Sequence, residues 1–318
     1  FGYWAVARNN RITENPAPTL SLRPAAGYGS ASRQPERLPM AHAKKSMVAL
    51  LAAGLAFTGC MTTASTRSST AADLDRILAG DQRSDANRAR DVYRHPKETL
   101  LFFGIRPEQT VVEVWPGGGW YTEIIAPLVA EKGKFYAAQV VPNPESNGTT
   151  AALKAYADKL AARPDLYGKV TVTAMGPGST ADIAPPGSVD LVVTFRNIHN
   201  WLGRDYAPAA FAAMYKALKP GGTLGVVEHR GNPAVPQDPK AKSGYINEDY
   251  AIRMIEAAGF RLVAKSEANA NPKDTRDYEK GVWTLPPTYA LGDTDRAKYA
   301  AIGESDRFTL KFIKPSGR

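Results

Sequence analysis

The sequence predicts an α/β protein, a doubly wound and mostly parallel sheet, and three observations carry that prediction. The first is Val111 to Tyr121 (VVEVWPGGGWY), where an apolar run passes through a glycine turn into a helical pattern. A short apolar run suits a strand buried on both faces of a parallel sheet. The second is the alternation of strand-like and helix-like segments, with crossovers long enough to bring each strand back parallel to its neighbour. The third is Phe308 to Lys314 (FTLKFIK), a closing segment with the period-two alternation of a strand whose two faces differ.

The elements follow in order. Asp73 to Gly80 reads as a short helix, and Pro96 is placed to open another over Lys97 to Phe103, ending near Gly104. These helices before the sheet are expected to cap the fold, and the charged cluster Arg88, Arg90, Asp91, Arg94 and His95 between them reads as a solvated face, with a lid over the site as the alternative. Strand one covers about Thr110 to Trp115 and is followed by a helix from Trp120 to Ala130. Phe135 to Val141, Val170 to Ala174 and Asp190 to Phe195 are the next three strands, with a helix through Leu153, Tyr156 and Leu160 after the first of them. Pro208 to Leu218 is a helix with proline in its first turn, where no N–H is needed. The turn Lys219 to Gly222 leads to a fifth strand, Thr223 to Glu228; Glu248 to Ala258 is a helix and Phe260 to Lys265 a sixth strand. The domain is expected to occupy residues 73–318, with an Asn-rich, Pro-containing insertion before the last strand.

The front of the chain is of another kind. The whole sequence of 318 residues carries a formal charge of +9. Residues 1–60 hold seven Lys and Arg against Glu14 and Glu36, so more than half of the excess lies there. The basic balance is therefore poor evidence for a nucleic-acid partner, and no interleaving of aromatic and basic residues supports one. Residues 1–39 begin without Met and show neither period; they read as unstructured sequence translated from a misplaced start. From Met40, two lysines precede an apolar stretch, Met47 to Phe57, too short to span a bilayer but suited to a secretory signal. Phe57-Thr-Gly-Cys60 resembles a bacterial lipobox, which implies cleavage before Cys60, acylation of its thiol and an envelope location, outer membrane facing the periplasm. An ordinary signal peptide with an incidental cysteine is the alternative. Cys60 is the only cysteine, so no intrachain disulfide and no Cys-based zinc site can form. Residues 61–72, rich in Ser, Thr and Ala, read as a tether.

Four phrases in the right order resemble the class I S-adenosylmethionine-dependent methyltransferases: VVEVWPGGGWYTEIIAP, Asp190-Leu-Val-Val, Ala217-Leu-Lys-Pro-Gly-Gly222 and Ala257-Ala-Gly-Phe260. Within that family the chain looks most like a group of exported bacterial proteins carrying WPGGGWYT and GVWTLPPT. The resemblance covers about Glu98 to Lys314 and implies a Rossmann-like methyltransferase fold of seven strands, the last inserted antiparallel. It implies S-adenosylmethionine as cofactor, held by Glu113, Trp115, Gly117, Gly118, Gly119, Tyr121, Gln139 and Arg196. Three departures bear on affinity, one of them the missing acid after strand three, where the chain reads Met175-Gly-Pro-Gly178. Trp115 stands where the family has its first glycine, and Gln139 stands where it has an acid whose two oxygens accept from both ribose hydroxyls. Gln139 offers one such oxygen, so the charge-assisted pair is lost.

In this fold the ends of strands four and five flank the transferred methyl group. Here they supply Arg196-Asn-Ile-His-Asn-Trp201 and Glu228-His-Arg230. Methyl transfer needs an in-line approach and a base for a protonated nucleophile. His199 is the expected base and Glu228 the second choice. Asn197 and Asn200 would orient the acceptor, Trp201 would wall it, and Arg196 and Arg230 would hold an anion. Each also has a structural reading: His199 as a hydrogen-bonding loop residue, Arg196 paired with Glu228 or Glu113. A zinc site on His199, Glu228 and His229 is chemically acceptable but lacks a sharp ligand spacing, and no metal is expected. Val282 to Pro287 could line the acceptor side or form a plain surface loop. Two functions follow: a membrane-anchored methyltransferase acting on a small molecule or lipid, or an exported protein of the same fold that binds another ligand without S-adenosylmethionine.

Overall fold

Hydrogen bonding across seven strands gives the order β3-β2-β1-β4-β5-β7-β6. The computed structural model describes residues 69–142 and 146–317. The expected leader, the lipobox ending at Cys60 and most of the tether lie outside the described residues. The strands are β1 (Thr110–Val114), β2 (Lys134–Val140), β3 (Val170–Met175), β4 (Val189–Phe195), β5 (Leu218–His229), β6 (Arg261–Ser266) and β7 (Arg307–Ile313). The first five pair in parallel, and β7 enters antiparallel between β5 and β6. This is the doubly wound, Rossmann-like methyltransferase arrangement that the sequence predicts.

The central strands are apolar on both faces because helices cover both. Val112, Val114, Val192, Leu224 and Val226 pack with Trp201, Phe211 and Met214 on one side. Val111, Leu191, Val193 and Val227 pack with Leu100, Phe103, Ile124 and Ile125 on the other. The second layer takes α4 (Pro96–Phe103), α5 (Thr122–Val129) and α6 (Asn147–Ala162); the first takes α8 (Ile198–Gly203), α9 (Ala207–Ala217) and α10 (Glu248–Ala257). Pro96 opens α4 and Gly104, at φ 83°, closes it, as proline before and glycine after a helix should.

Several boundaries differ from expectation for local reasons. The first described helix, α1, already runs through residues 69–78, inside the expected tether, and sinks Leu74 and Ile77 into the core. Each such side chain contributes about 1.5–3 kcal/mol when buried. Helix α5 begins at Thr122, not Trp120, because Trp120 and Tyr121 finish the turn. Short segments with weak apolar period were not foreseen: α7 (Pro164–Tyr167), α8, the 3-10 turn Gly281–Thr284 and α11 (Arg296–Ile302).

The helices before the sheet do more than cap it. α2 (Asp85–Arg88) and α3 (Asp91–Arg94) dock on the glycine turn through Trp120, whose Nε1 donates to the Asn87 carbonyl at 3.1 Å. The guanidiniums of Arg83 and Arg94 lie 5.0 and 4.7 Å from its ring centroid. Buried Glu123 of α5 accepts from Asn87 Nδ2 and from Lys159 Nζ of α6. Arg94 is buried, so the segment read as a solvated face turns inward.

Candidate active site at the carboxyl ends of the strands

Two neighbouring strands, β1 and β4, both end in a left-handed residue that is not glycine. Trp115 has φ 48° and Arg196 φ 60°. Such a backbone costs roughly 1–2 kcal/mol for an ordinary L-residue, and strain of this kind collects at functional sites. The Trp115 conformation also explains why a glycine is the easier choice there. Its indole Nε1 donates to the Met175 carbonyl at the end of β3, and its ring meets Trp201 edge-on at 5.8 Å. Trp115 thus reaches away from the glycine turn.

The turn it leaves is open. A Cβ added at Gly117 or Gly118 would meet nothing within 4 Å, and both residues are exposed. Gly117, at φ 57°, has a backbone that favours glycine, whereas Gly119 is closed in by Tyr156. Glu113, expected to face a ligand, is instead buried beneath the turn and accepts from Thr122 Oγ1 at 2.6 Å. Burial raises its pKa to about 7, with the Thr122 hydrogen bond opposing. Tyr121 corrects the sequence reading in the same way. Its ring stacks on Phe195 at 3.5 Å, its hydroxyl donates to the Arg94 carbonyl, and burial pushes its pKa up to about 12. It packs the turn and does not reach the open space.

Gln139 shares its sheet face with Phe135 and Ala137 and so turns toward α6. It lines a mostly apolar cavity of about 660 Å³ between α6 and β3. Among the described residues its Nε2 is buried without a hydrogen-bond partner, a donor that a ligand oxygen would satisfy.

The ends of β4 and β5 build a denser arrangement. Glu228 is fully buried; Oε2 accepts from the Ile198 and His199 amides at 2.6 and 3.4 Å, and Oε1 from the His229 amide at 2.8 Å. The first two are free N–H groups at the start of α8, so a carboxylate from the next strand caps that helix. His199 Nδ1 lies 3.1 Å from Glu228 Oε1. A carboxylate can only accept, so this contact selects the tautomer with the proton on Nδ1, and in the neutral imidazole Nε2 then holds the lone pair. Asn197 donates to the Val114 and Trp115 carbonyls, tying the end of β4 to the start of the glycine turn. That amide is spent on the backbone and not on orienting an acceptor.

Beyond His199 a cavity of about 260 Å³ is lined by Arg90, Arg94, Arg196, Arg307, His229 and Trp283 among others. Trp283 meets His199 edge-on at 5.9 Å, which puts GVWT on the site rather than on a plain surface loop. Arg196 forms no ion pair with Glu228 or Glu113 and has no side-chain hydrogen bond among the described residues. Burial, with Arg307 next, lowers its pKa to about 10. Arg230, expected to help hold an anion, is instead spent on Glu248 and Glu267 at 3.3 and 2.6 Å.

Ligand atoms of His199, Glu228 and His229 lie within 4.8 Å of one another, close enough to surround a metal ion. The chemistry is wrong for one. The Glu228 oxygens already take three amides and a ring N–H, and four guanidiniums face the adjoining cavity. The Nδ1 of His229 is already taken by Ser305 Oγ at 2.5 Å.

Sequence reasoning named His199, Glu228 and Arg196, offered Arg90 and Arg94 only as the lesser lid reading, and missed Ser305 and Arg307. The one available signal was the charged run Glu304-Ser-Asp-Arg307 just before the last strand.

No family model matches the chain, and no curated protein matches it either. Solved structures do. A methyltransferase from Aquifex aeolicus, described as S-adenosylmethionine-dependent, is 17% identical with TM-score 0.47, over 71% of this chain and 93% of that one. The cyclase SpnF is 19% identical with TM-score 0.48, over 75% and 86%. Phosphoethanolamine N-methyltransferase 2 of Haemonchus contortus, in complex with S-adenosyl-L-methionine, is 16% identical with TM-score 0.46, over 70% and 53%. These are likenesses of fold and carry no activity by themselves.

Proposed function

We propose that the chain is an S-adenosylmethionine-dependent methyltransferase. The observation that carries this reading is the open space over Gly117 and Gly118, joined through Asn197 to the His199–Glu228 pair. The residues fit such a cofactor in two respects: a turn without side chains where a ligand must approach the backbone, and beside it Gln139 Nε2, buried without a partner among the described residues. Gly117, Gly118 and Gln139 would hold it. When bound, the cofactor supplies an electrophilic methyl group. Glu228 fixes the His199 tautomer, so that Nε2 can take a proton from the attacking atom of the acceptor. Trp283 packs edge-on against the His199 ring, whereas Trp201, expected as a wall for the acceptor, is buried in the core against Trp115 and Phe211.

A second reading, a binding protein of this fold that does not use S-adenosylmethionine, draws on Gln139 and its fit to the apolar cavity along α6. The envelope location and the acylated Cys60 belong to the same proposal and rest on the lipobox-like phrase alone. Among the described residues no helix is long and apolar enough to cross a membrane.

Calorimetric titration of S-adenosylmethionine into the full chain separates the two readings. Micromolar binding that weakens at least tenfold in Gly118→Val supports the methyltransferase. A folded protein that gives no heat at millimolar ligand refutes it.

A further inference from the structure

The arginine cavity holds more positive charge than the described residues neutralise. Among them, Arg90, Arg94 and Arg307 share one carboxylate, Glu304, and Arg196 has none. Burial alone would raise the Glu304 pKa, but Arg307, Arg94 and Arg90 outweigh it and hold the carboxyl well below its usual range. Three positive charges are therefore left over around a space of about 260 Å³. Other nearby carboxylates are engaged elsewhere: Asp306 with Arg276, and Glu228 with its amides. Arg90 and Arg94 spend only Nε on Glu304, so the outer nitrogens of both forks remain for another acceptor. Assembling like charges in a half-closed space is costly unless something anionic joins them.

We infer that this cavity is the anion subsite for the acceptor and takes a doubly charged oxyanion of the phosphate-monoester kind. The word acceptor rests on the methyltransferase reading; the anion subsite does not. Guanidinium forks match the oxygen spacing of phosphate in pairs, and a dianion offsets two of the three surplus charges where a single carboxylate offsets one. The bound group lies beside His199, so the rest of a small phosphorylated molecule is held with its nucleophile next to Nε2. An apolar lipid with no headgroup charge is excluded by the same arginines. A phosphate on a lipid headgroup and one on a free metabolite share this chemistry.

The test is calorimetric titration of inorganic phosphate at pH 8 into the full chain, with acetate as the monoanion. Phosphate is expected to bind at least tenfold more tightly than acetate, and Arg196→Asn to weaken it at least tenfold. Asn tolerates the left-handed backbone at this position, so the variant removes charge without adding strain. Arg90→Gln, at a half-exposed position, is the second variant and is expected to weaken phosphate binding several-fold. No saturable phosphate binding by the folded chain, or wild-type affinity in both variants, overturns the inference. Competition by glycerol 3-phosphate points to a free metabolite and cosedimentation with phosphatidic acid vesicles to a headgroup; either result supports the subsite. S-adenosylmethionine titrated in parallel keeps the two readings apart. Cofactor binding without phosphate binding refutes only the anion subsite, and phosphate binding without cofactor binding refutes only the methyltransferase.

Discussion

The two halves of the cleft are built by different means. The half at the end of β1 is contiguous: Glu113, the open Gly117 and Gly118, and the packed Trp120 and Tyr121 all lie within nine residues. The half at the ends of β4 and β5 is assembled from five separate segments, with Arg90 and Arg94, Arg196 and His199, His229, Trp283, and Ser305 and Arg307 meeting around one space. The first half is shaped by backbone conformation, the second by charge. A backbone-shaped turn tolerates exchange of the side chains around it. A charge-built pocket fails when one member is removed, because each carboxylate or guanidinium is the solvent for the others.

The sharpest way to break this contrast is Glu228→Ala. The substitution leaves the Ile198 and His229 amides and the His199 ring N–H buried without an acceptor. It should destabilise the fold by about 3–5 kcal/mol, as removal of one partner from a buried charged network does. Urea unfolding measures it, and a loss below about 1 kcal/mol would show that the acceptor half is not held together by charge.

The contiguous half makes a pH prediction of somewhat smaller size. Glu113 titrates at about 7 in the folded protein, above the usual carboxylate value of 4.5. The folded state therefore holds its proton more tightly than the unfolded state. Its contribution to stability is fully present below pH 4.5 and is lost as pH rises through 7. At about 1.4 kcal/mol per pH unit the loss amounts to roughly 3 kcal/mol. In Glu113→Gln this component of the pH dependence should vanish, leaving the variant more stable than the wild type at pH 8. Thermal unfolding at pH 5 and pH 8 reads the difference, and equal pH profiles for the two proteins would contradict the assigned burial.

The same contrast sets what the sequence could reveal. The glycine turn and the β4 and β5 ends were legible because each is a local pattern: an apolar run, a turn residue, a helix start. The seven strands with an antiparallel last one came from the family resemblance, since no local pattern encodes strand order. His199 and Glu228 were legible as candidates because the fold puts those strand ends side by side. Gln139 lies in β2 and shares the α6 face with Phe135 and Ala137, a direction that period-two alternation encodes. Arg90 and Arg94 were read as solvated because their partner, Glu304, lies more than 200 residues away in the chain. No local period encodes a contact at that separation. The inward turn of α3 depends on Trp120, whose ring lies against Arg94 only once the helices have docked.

The central claim is that the two halves form one cleft, with cofactor over the glycine turn and an anion among the arginines. A crystal structure of the full chain grown with S-adenosylhomocysteine and phosphate tests it most directly. The account predicts the nucleoside over Gly117 and Gly118, its sulfur toward His199, and phosphate on Arg196. Nucleoside bound away from Gly117 and Gly118, with the space over the glycines empty, would contradict it.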